Sequence, residues 1–324
     1  MASKLIVSVS PHFRDRENTA KVMWSVNLAL LPSALAAVYI FGWQAALVMG
    51  VSVAVSLAAE VLSQLIFKRE ITVGDGSAVV TGVLLAFTLP SQTPLWMVAF
   101  GAFIALFLVK QLFGGLGYNI FNPALTARAI LLSSFPVAMT SWIKPAMSLG
   151  RVDAVSTASA LGLVKEAMRS GVEARSSYGY MDLLLGSVPG SLGETCKVAL
   201  LVGAAFLMIR GIVNWRIPVT FIGTVALLSL IVGRDPLFEI LSGGLILGAF
   251  FMATDYVTSP TTGNGRLIFG AGCGIITFLI RQYGGFPEGV CYSILFMNCL
   301  TPLIESYVRP RRFGARRAAA GGAR

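Results

Sequence analysis

Charge is scarce in this sequence. Only 12% of its 324 residues are Asp, Glu, Lys or Arg, against 56% hydrophobic ones, and soluble chains carry roughly 25% charged residues. So little charge cannot cover a water-soluble domain of this length, which excludes a soluble enzyme, a disordered chain and a collagenous scaffold. Histidine is nearly absent, with His12 alone, so no His-based metal site or catalytic triad can be assembled. The four cysteines, Cys196, Cys273, Cys291 and Cys299, form no C-x-x-C. No iron–sulfur, zinc or disulfide framework can be read from them, and buried, inert thiols are expected. There is no Walker loop, and the first 21 residues are polar and basic without a cleavage site, so no cleavable signal peptide is read. Mean hydropathy is +0.77, and the remaining class is an integral membrane protein.

Apolar stretches occur at 22–41, 43–67, 77–89, 95–113, 120–139, 196–213, 217–233, 239–254, 267–281 and 289–308. A helix needs about 20 residues to cross the hydrocarbon. Most stretches approach that length; 77–89, 239–254 and 267–281 fall short. Ten spans place both termini on one side. Lys and Arg choose the side. With both ends cytoplasmic, sixteen bases lie inside: Lys4, Arg14, Arg16, Lys21, Lys68, Arg69, Lys110, Arg210, Arg216, Arg266 and six arginines of the tail. The short outer loops hold Arg234 and Arg281 alone. The expected location is a membrane crossed many times, with both termini cytoplasmic. The expected plan is a cytoplasmic segment 1–21, a membrane repeat 22–139, an extracytoplasmic loop domain 140–195, a second repeat 196–308 and a basic cytoplasmic tail 309–324. The tail, with its six Arg and no acid, reads as a topology anchor touching anionic membrane lipid rather than nucleic acid.

The two halves look like copies. GVLLAFTLPSQTP (82–94) lines up with GAFFMATDYVTSP (248–260), Gly114-Gly115 with Gly284-Gly285, and LALL (28–31) with VALL (198–201), at offsets of 166, 170 and 170. Five spans per half is odd, so the fold class expected is all-α, about ten transmembrane helices arranged as two inverted five-helix repeats. The short stretches 77–89 and 239–254 then correspond, which points to a midplane site between the repeats.

Polar residues inside the spans are costly and need partners. Arg128 and Glu60 stand at matching depths, roughly 12 and 10 Å above the cytoplasmic face at 1.5 Å per residue, and are expected to pair; a phosphate or water-filled cavity facing Arg128 is the alternative. Asn122-Pro123 interrupts a span beside Gly114, Gly115 and Gly117, and Asp255 to Gly263 form a polar run. Asn119, Asn122, Arg128, Asp255, Thr258 and Ser259 are therefore candidates for an ion or polar-cofactor site, although turn chemistry also accounts for much of this pattern. In the outer loop, Asp153-Ala154-Val155-Ser156-Thr157-Ala158-Ser159-Ala160-Leu161 precedes a helix-like stretch. Ser and Thr there read first as an N-cap. With no local base, a hydroxyl is a poor nucleophile, so any modification needs another enzyme.

Ser10-Pro11-His12, GDGSAVVTGVLLAFTLP, GLGYNIFNPA, DAVSTASAL and ATDYVTSPTTGNGR together resemble the RnfD/NqrB membrane subunits of ion-translocating Rnf and Nqr respiratory complexes. The resemblance covers nearly the whole chain, and the length looks like RnfD. It implies FMN joined through its phosphate to a hydroxyl residue in a D-x-x-[ST]-x-A-[TS] motif, installed outside the cytoplasm by a flavin transferase. On this chain Asp153, Ser156, Ala158 and Ser159 fit, with Ser159 as acceptor. The family usually has Thr at the acceptor position and often Gly where Thr157 stands, and Thr157 is the fallback acceptor. Some relatives hold a second, non-covalent flavin, expected as riboflavin, within the bundle. The resemblance further implies a prokaryotic inner membrane, partner subunits bearing flavin and iron–sulfur centres, and electron flow coupled to Na⁺ or H⁺ movement. A solute channel or transporter without redox role is the competing reading, and a pure assembly scaffold is a third.

Overall fold

The computed structural model describes residues 18–143, 145, 156–170, 178–286 and 288–308. Its elements follow as α1 (Thr19–Phe41), α2 (Trp43–Ile66), α3 (Ser77–Phe87) and α4 (Leu95–Phe103, continued by a π-helical stretch Ile104–Gln111). Next come α5 (Pro123–Ser134), α6 (Pro136–Thr140), β1 (Trp142–Ile143), β2 (Ser156–Thr157), α7 (Ala160–Arg169) and α8 (Tyr180–Leu185). The second half holds α9 (Lys197–Ile209), α10 (Arg216–Ile231), α11 (Pro236–Leu241), α12 (Leu245–Leu247, continued by a π-helical Gly248–Met252), α13 (Gly263–Tyr283) and α14 (Val290–Tyr307).

The chain is an all-α, multi-pass membrane protein. Among the described residues α1, α2 and α13 are long and apolar enough to cross a membrane, while α3, α4 with its extension, α9 and α10 are shorter apolar helices. Helix α1 shows how sequence makes such a span. Trp24, Leu28, Leu31, Leu35 and Tyr39 recur at helical spacing and are more than half exposed, forming a lipid-facing stripe. Ser25, Ala29, Ser33 and Ala37 are buried on the other side, and small residues let helix backbones approach. Against that face lies α9, where a Cβ on Gly203 would stand 2.0 Å from the Ala29 carbonyl oxygen. α2 packs on α3 and α4, α10 on α13, and α5 meets α14.

Three apolar stretches differ from expectation. The stretch 267–281 is not short: Thr262 caps Gly265 N–H (3.1 Å), so the helix starts at Gly263 and reaches 21 residues. The stretch 120–139 is two helices, because Asn122 caps α5 with Pro123 in its first turn and Pro136 starts α6. The stretch 239–254 divides into α11 and α12 around Ser242–Gly244. Ala160, Leu161, Val164, Leu183 and Val188 from the stretch between β2 and α9 form a separate apolar cluster with Phe238 of α11. β1 pairs antiparallel with β2, Trp142 opposite Thr157. Tyr180 donates to Asp235 Oδ2 (2.5 Å) and ties α8 to the turn before α11.

Candidate functional site

Ser159 begins α7. Its hydroxyl accepts from Gly162 N–H (3.2 Å) and its carbonyl from Leu163 N–H (2.9 Å), so it is the N-cap the local pattern suggests. The side chain is nonetheless placed for more than capping. It borders an open groove of about 590 Å3 lined by Thr140, Trp142, Ala158, Gly162, Lys165, Glu166, Ser170 and Gly285. Lys165 Nζ donates to Phe286 O (2.7 Å) and Ile280 O (3.1 Å), which docks α7 on the end of α13. First-turn N–H groups of a helix favour anions. Ser159 therefore offers a hydroxyl at an anion-friendly terminus beside a groove in the ~300–1,000 Å3 range of small-molecule sites. The backbone of Ser156 and Thr157 forms β2, and Asp153 lies outside the described residues.

The six candidates for a second site do not form one cluster. Asn119, Asn122 and Asp255 line a narrow cavity of about 90 Å3 in the bundle, with Ser77, Lys110 and Tyr256. Thr258 donates to Asp255 Oδ2 (3.2 Å). Ser259 faces a separate cavity beside Asn214 and Arg266. Arg128 sits elsewhere, on a further cavity with Thr88, Glu194 and Glu288.

The expected Arg128–Glu60 pair does not form. Arg128 Nη2 lies 2.5 Å from Glu288 Oε2, Nη1 lies 3.6 Å from Glu194 Oε1, and Nη1 donates to the Thr88 carbonyl (2.8 Å). Glu60 instead holds Lys110, whose Nζ is 2.5 Å from Oε1 and also donates to Ser77 Oγ (2.6 Å). Gln111 Nε2 donates to the same Glu60 oxygen (3.0 Å). Matching depth did not decide the partner, because α5 turns Arg128 towards the loops before α9 and α14. Lys110, counted as a loop base, is 2% exposed within the π-helical end of α4. Arg281, counted in an outer loop, lies in the last turn of α13 and bonds Glu239 Oε2 (2.9 Å).

The chain between α8 and α9 reaches into the bundle. Leu192 N–H bonds Leu89 O (3.1 Å) and Gly193 N–H bonds Phe87 O (2.8 Å), satisfying carbonyls at the end of α3. A Cβ on Gly193 would lie 2.3 Å from Phe87 Cβ, so glycine permits this approach. Glu194 is thereby buried beside Arg128. A comparable tie holds the other broken segment. With its amide nitrogen turned towards acceptors, Asn298 donates to Thr258 O (3.3 Å) and its oxygen accepts from Asn122 N–H (3.2 Å). Asn122 Nδ2 in turn donates to Met252 O (3.3 Å), and Thr301 donates to Thr258 O (2.9 Å).

Sequence reasoning missed Glu288, Glu194 and Lys197 as neighbours of Ser159. It also missed Lys110 as a membrane-buried base. Glu166 and Ser170 could have been found, since Ser159, Gly162, Glu166 and Ser170 fall on one helical face. Trp142 and Gly285 arrive from distant segments without a local signal.

These features define a polytopic membrane protein with paired charges inside its bundle and a hydroxyl-bearing groove at one end. The sequence model described as the NQR2, RnfD, RnfE family matches residues 6–314. The chain is 47% identical over 312 residues to the D subunit of the Na(+)-translocating ferredoxin:NAD(+) oxidoreductase complex of Acetobacterium woodii, covering 96% of this chain and 95% of that one. It is 46% identical over 321 residues to the proton-translocating counterpart from Clostridium ljungdahlii, with 96% of each covered. To the D subunit of the ion-translocating oxidoreductase complex of Pectobacterium atrosepticum it is 39% identical over 348 residues, covering 96% and 99%. The chain belongs to the NQR2, RnfD, RnfE family.

Proposed function

We propose that this chain is the membrane electron-carrying subunit of an Rnf-type ferredoxin:NAD oxidoreductase, with FMN esterified to Ser159 on the outer face and electron flow coupled to Na⁺ or H⁺ translocation. The observation that carries the reading is the placement of Ser159 at the N-terminus of α7, beside a groove of about 590 Å3, in a chain 47% and 46% identical to two relatives named for Na⁺ and proton translocation. The residues fit the group. The first turn of α7 suits a phosphate, Trp142 offers an apolar wall, and Lys165 holds α7 against α13. Bound FMN supplies one- and two-electron chemistry, and the protein supplies position and polarity. Iron–sulfur and nicotinamide chemistry belongs to partner subunits, since this sequence has neither ligand spacing nor nucleotide loop. A flavin transferase supplies the ester bond, because among the described residues Ser159 has no histidine beside it to act as base.

The inverted-repeat plan belongs to the same reading. Arg128 to Thr88 O and Asn298 to Thr258 O are equivalent ties whose partners are separated by 170 residues in both cases. That spacing matches two of the three sequence offsets, and it moves the third alignment by four residues so that Thr88-Leu89-Pro90 corresponds to Thr258-Ser259-Pro260. The contacts α1 on α9 and α5 on α14 suit a pseudo-twofold between halves. Residues 140–195 are then extracytoplasmic and both termini cytoplasmic. A second, non-covalent riboflavin does not fit the bundle cavity as it stands, because about 90 Å3 falls below the ~300 Å3 of small-molecule pockets.

Co-expression with the flavin transferase, intact mass and peptide mapping across residues 156–170 test the reading. FMN less one water on the Ser159 peptide supports it. An unmodified chain, beside a control substrate that is modified, overturns it and favours solute passage.

A further inference from the structure

A second cluster lies between the outer groove and the bundle centre. Glu194 comes from the segment that reaches in before α9, and Glu288 from the turn before α14. Arg128 bridges them, 2.5 Å from Glu288 and 3.6 Å from Glu194. One guanidinium thus gathers two buried carboxyls, and like charges gathered at one buried site disfavour ionising both, so one proton is favoured on the pair. Cavities of about 20 Å3 flank the pair on both sides. One touches Ser159, Gly190 and Lys197, the other Arg128, Met252 and Cys291, and both carboxylates border each. Each has room for about one water with several polar neighbours.

We propose that Glu194 and Glu288 form a buried proton-binding site, one proton shared by two carboxyls, that exchanges with water from the outer groove through the cavity beside Ser159. The charges around it balance. Arg128 from α5 and Lys197 from α9 offset two carboxylates, so the shared proton adds one positive charge. Arg281 from α13 faces the pair but is already held by Glu239, and the Cys291 thiol from α14 donates to Leu125 O (3.3 Å). Burial, together with the neighbouring Glu194, pushes Glu288 up to about 7, with Arg128 opposing. Both protonation states are thus populated near neutral pH. Negative charge arriving on the Ser159 side draws the proton onto the pair. Which face the exchange opens to rests on the reading above; proton binding itself does not.

The test is infrared pH-difference spectroscopy on the purified full chain in phosphatidylcholine vesicles. We expect a protonated-carboxyl carbonyl band that grows as pH falls through about 7, shifts in D2O, disappears in Glu288→Gln and changes in Glu194→Gln. Should both variants misfold, [13C]glutamate labelling of the unaltered chain must move the band. No titrating band between about pH 5 and 9, a band untouched by variants or label, or one insensitive to D2O overturns the proposal. The mass of the same preparation reports FMN independently, so loss of the flavin reading and loss of the proton site are separate results.

Discussion

Lys110 and Glu60, fifty residues apart, meet at 2.5 Å with both side chains at most 3% exposed. Ser77, itself held by Asp75 (2.6 Å), and Gln111 complete the arrangement. The pair joins α2 to the π-helical end of α4 and sits at the edge of the bundle cavity. Removing one member of such a pair leaves a lone buried charge, which costs about 3–5 kcal/mol, whereas replacing both with neutral groups of similar shape is often harmless. Lys110→Met is expected to lower the unfolding midpoint in detergent sharply, and Glu60→Gln with Lys110→Met to recover most of the loss. A double variant no better than the single one counts against this account.

Arg128 supplies the second expectation. Its partners are Glu288, Glu194 and the Thr88 carbonyl, and not Glu60. In a double-mutant cycle, Arg128→Met and Glu288→Gln should couple by about 0.5–3 kcal/mol, while Arg128→Met and Glu60→Gln should add within about 0.5 kcal/mol. Equal coupling in the two cycles would contradict the observed pairing.

What could be read from the chain alone was local or cumulative. Most of the apolar stretches and the N-cap at Ser159 depend on neighbours within a few residues and appear in the structure, whereas Asn122-Pro123, read as an interruption of a span, starts α5. Partner choice inside the bundle does not. Arg128 and Glu288 are 160 residues apart, and nothing in hydropathy shows which face of α5 Arg128 occupies. Depth counted along the chain did not bring Glu60 to Arg128; Glu60 holds Lys110 instead. Lys110 was misplaced for a related reason: a base after a long apolar run reads as a loop residue, and only the π-helical continuation to Gln111 carries it inward. The polar run at 255–263 looked like one site, but its turns send Asp255 and Ser259 to different cavities.

Ser159 gives the third expectation. Ser159→Ala removes the acceptor hydroxyl and one helix cap, worth about 1 kcal/mol, so the chain should fold while losing the FMN mass and flavin fluorescence in a denaturing gel. Ser159→Thr keeps a hydroxyl at the cap and should keep both signals. Retention of flavin in Ser159→Ala, with the ester mapped to Thr157, would move the attachment to β2.

Glu288 gives the last expectation, with its sign fixed by the direction of its shift. Its carboxyl is raised from 4.5 to about 7 by burial and by Glu194, so folding favours its protonated form. The stability it contributes is fully present below the unfolded value and is lost as pH rises through about 7. The melting temperature of the full chain in detergent should therefore fall from about pH 5 to pH 8 by more in the unaltered protein than in Glu288→Gln. The Gln side chain stays neutral and can still donate to Glu194, so the two curves should diverge as pH rises from about 5 to about 7 and stay apart above it. Parallel curves across that window would show that Glu288 carries no proton into the fold.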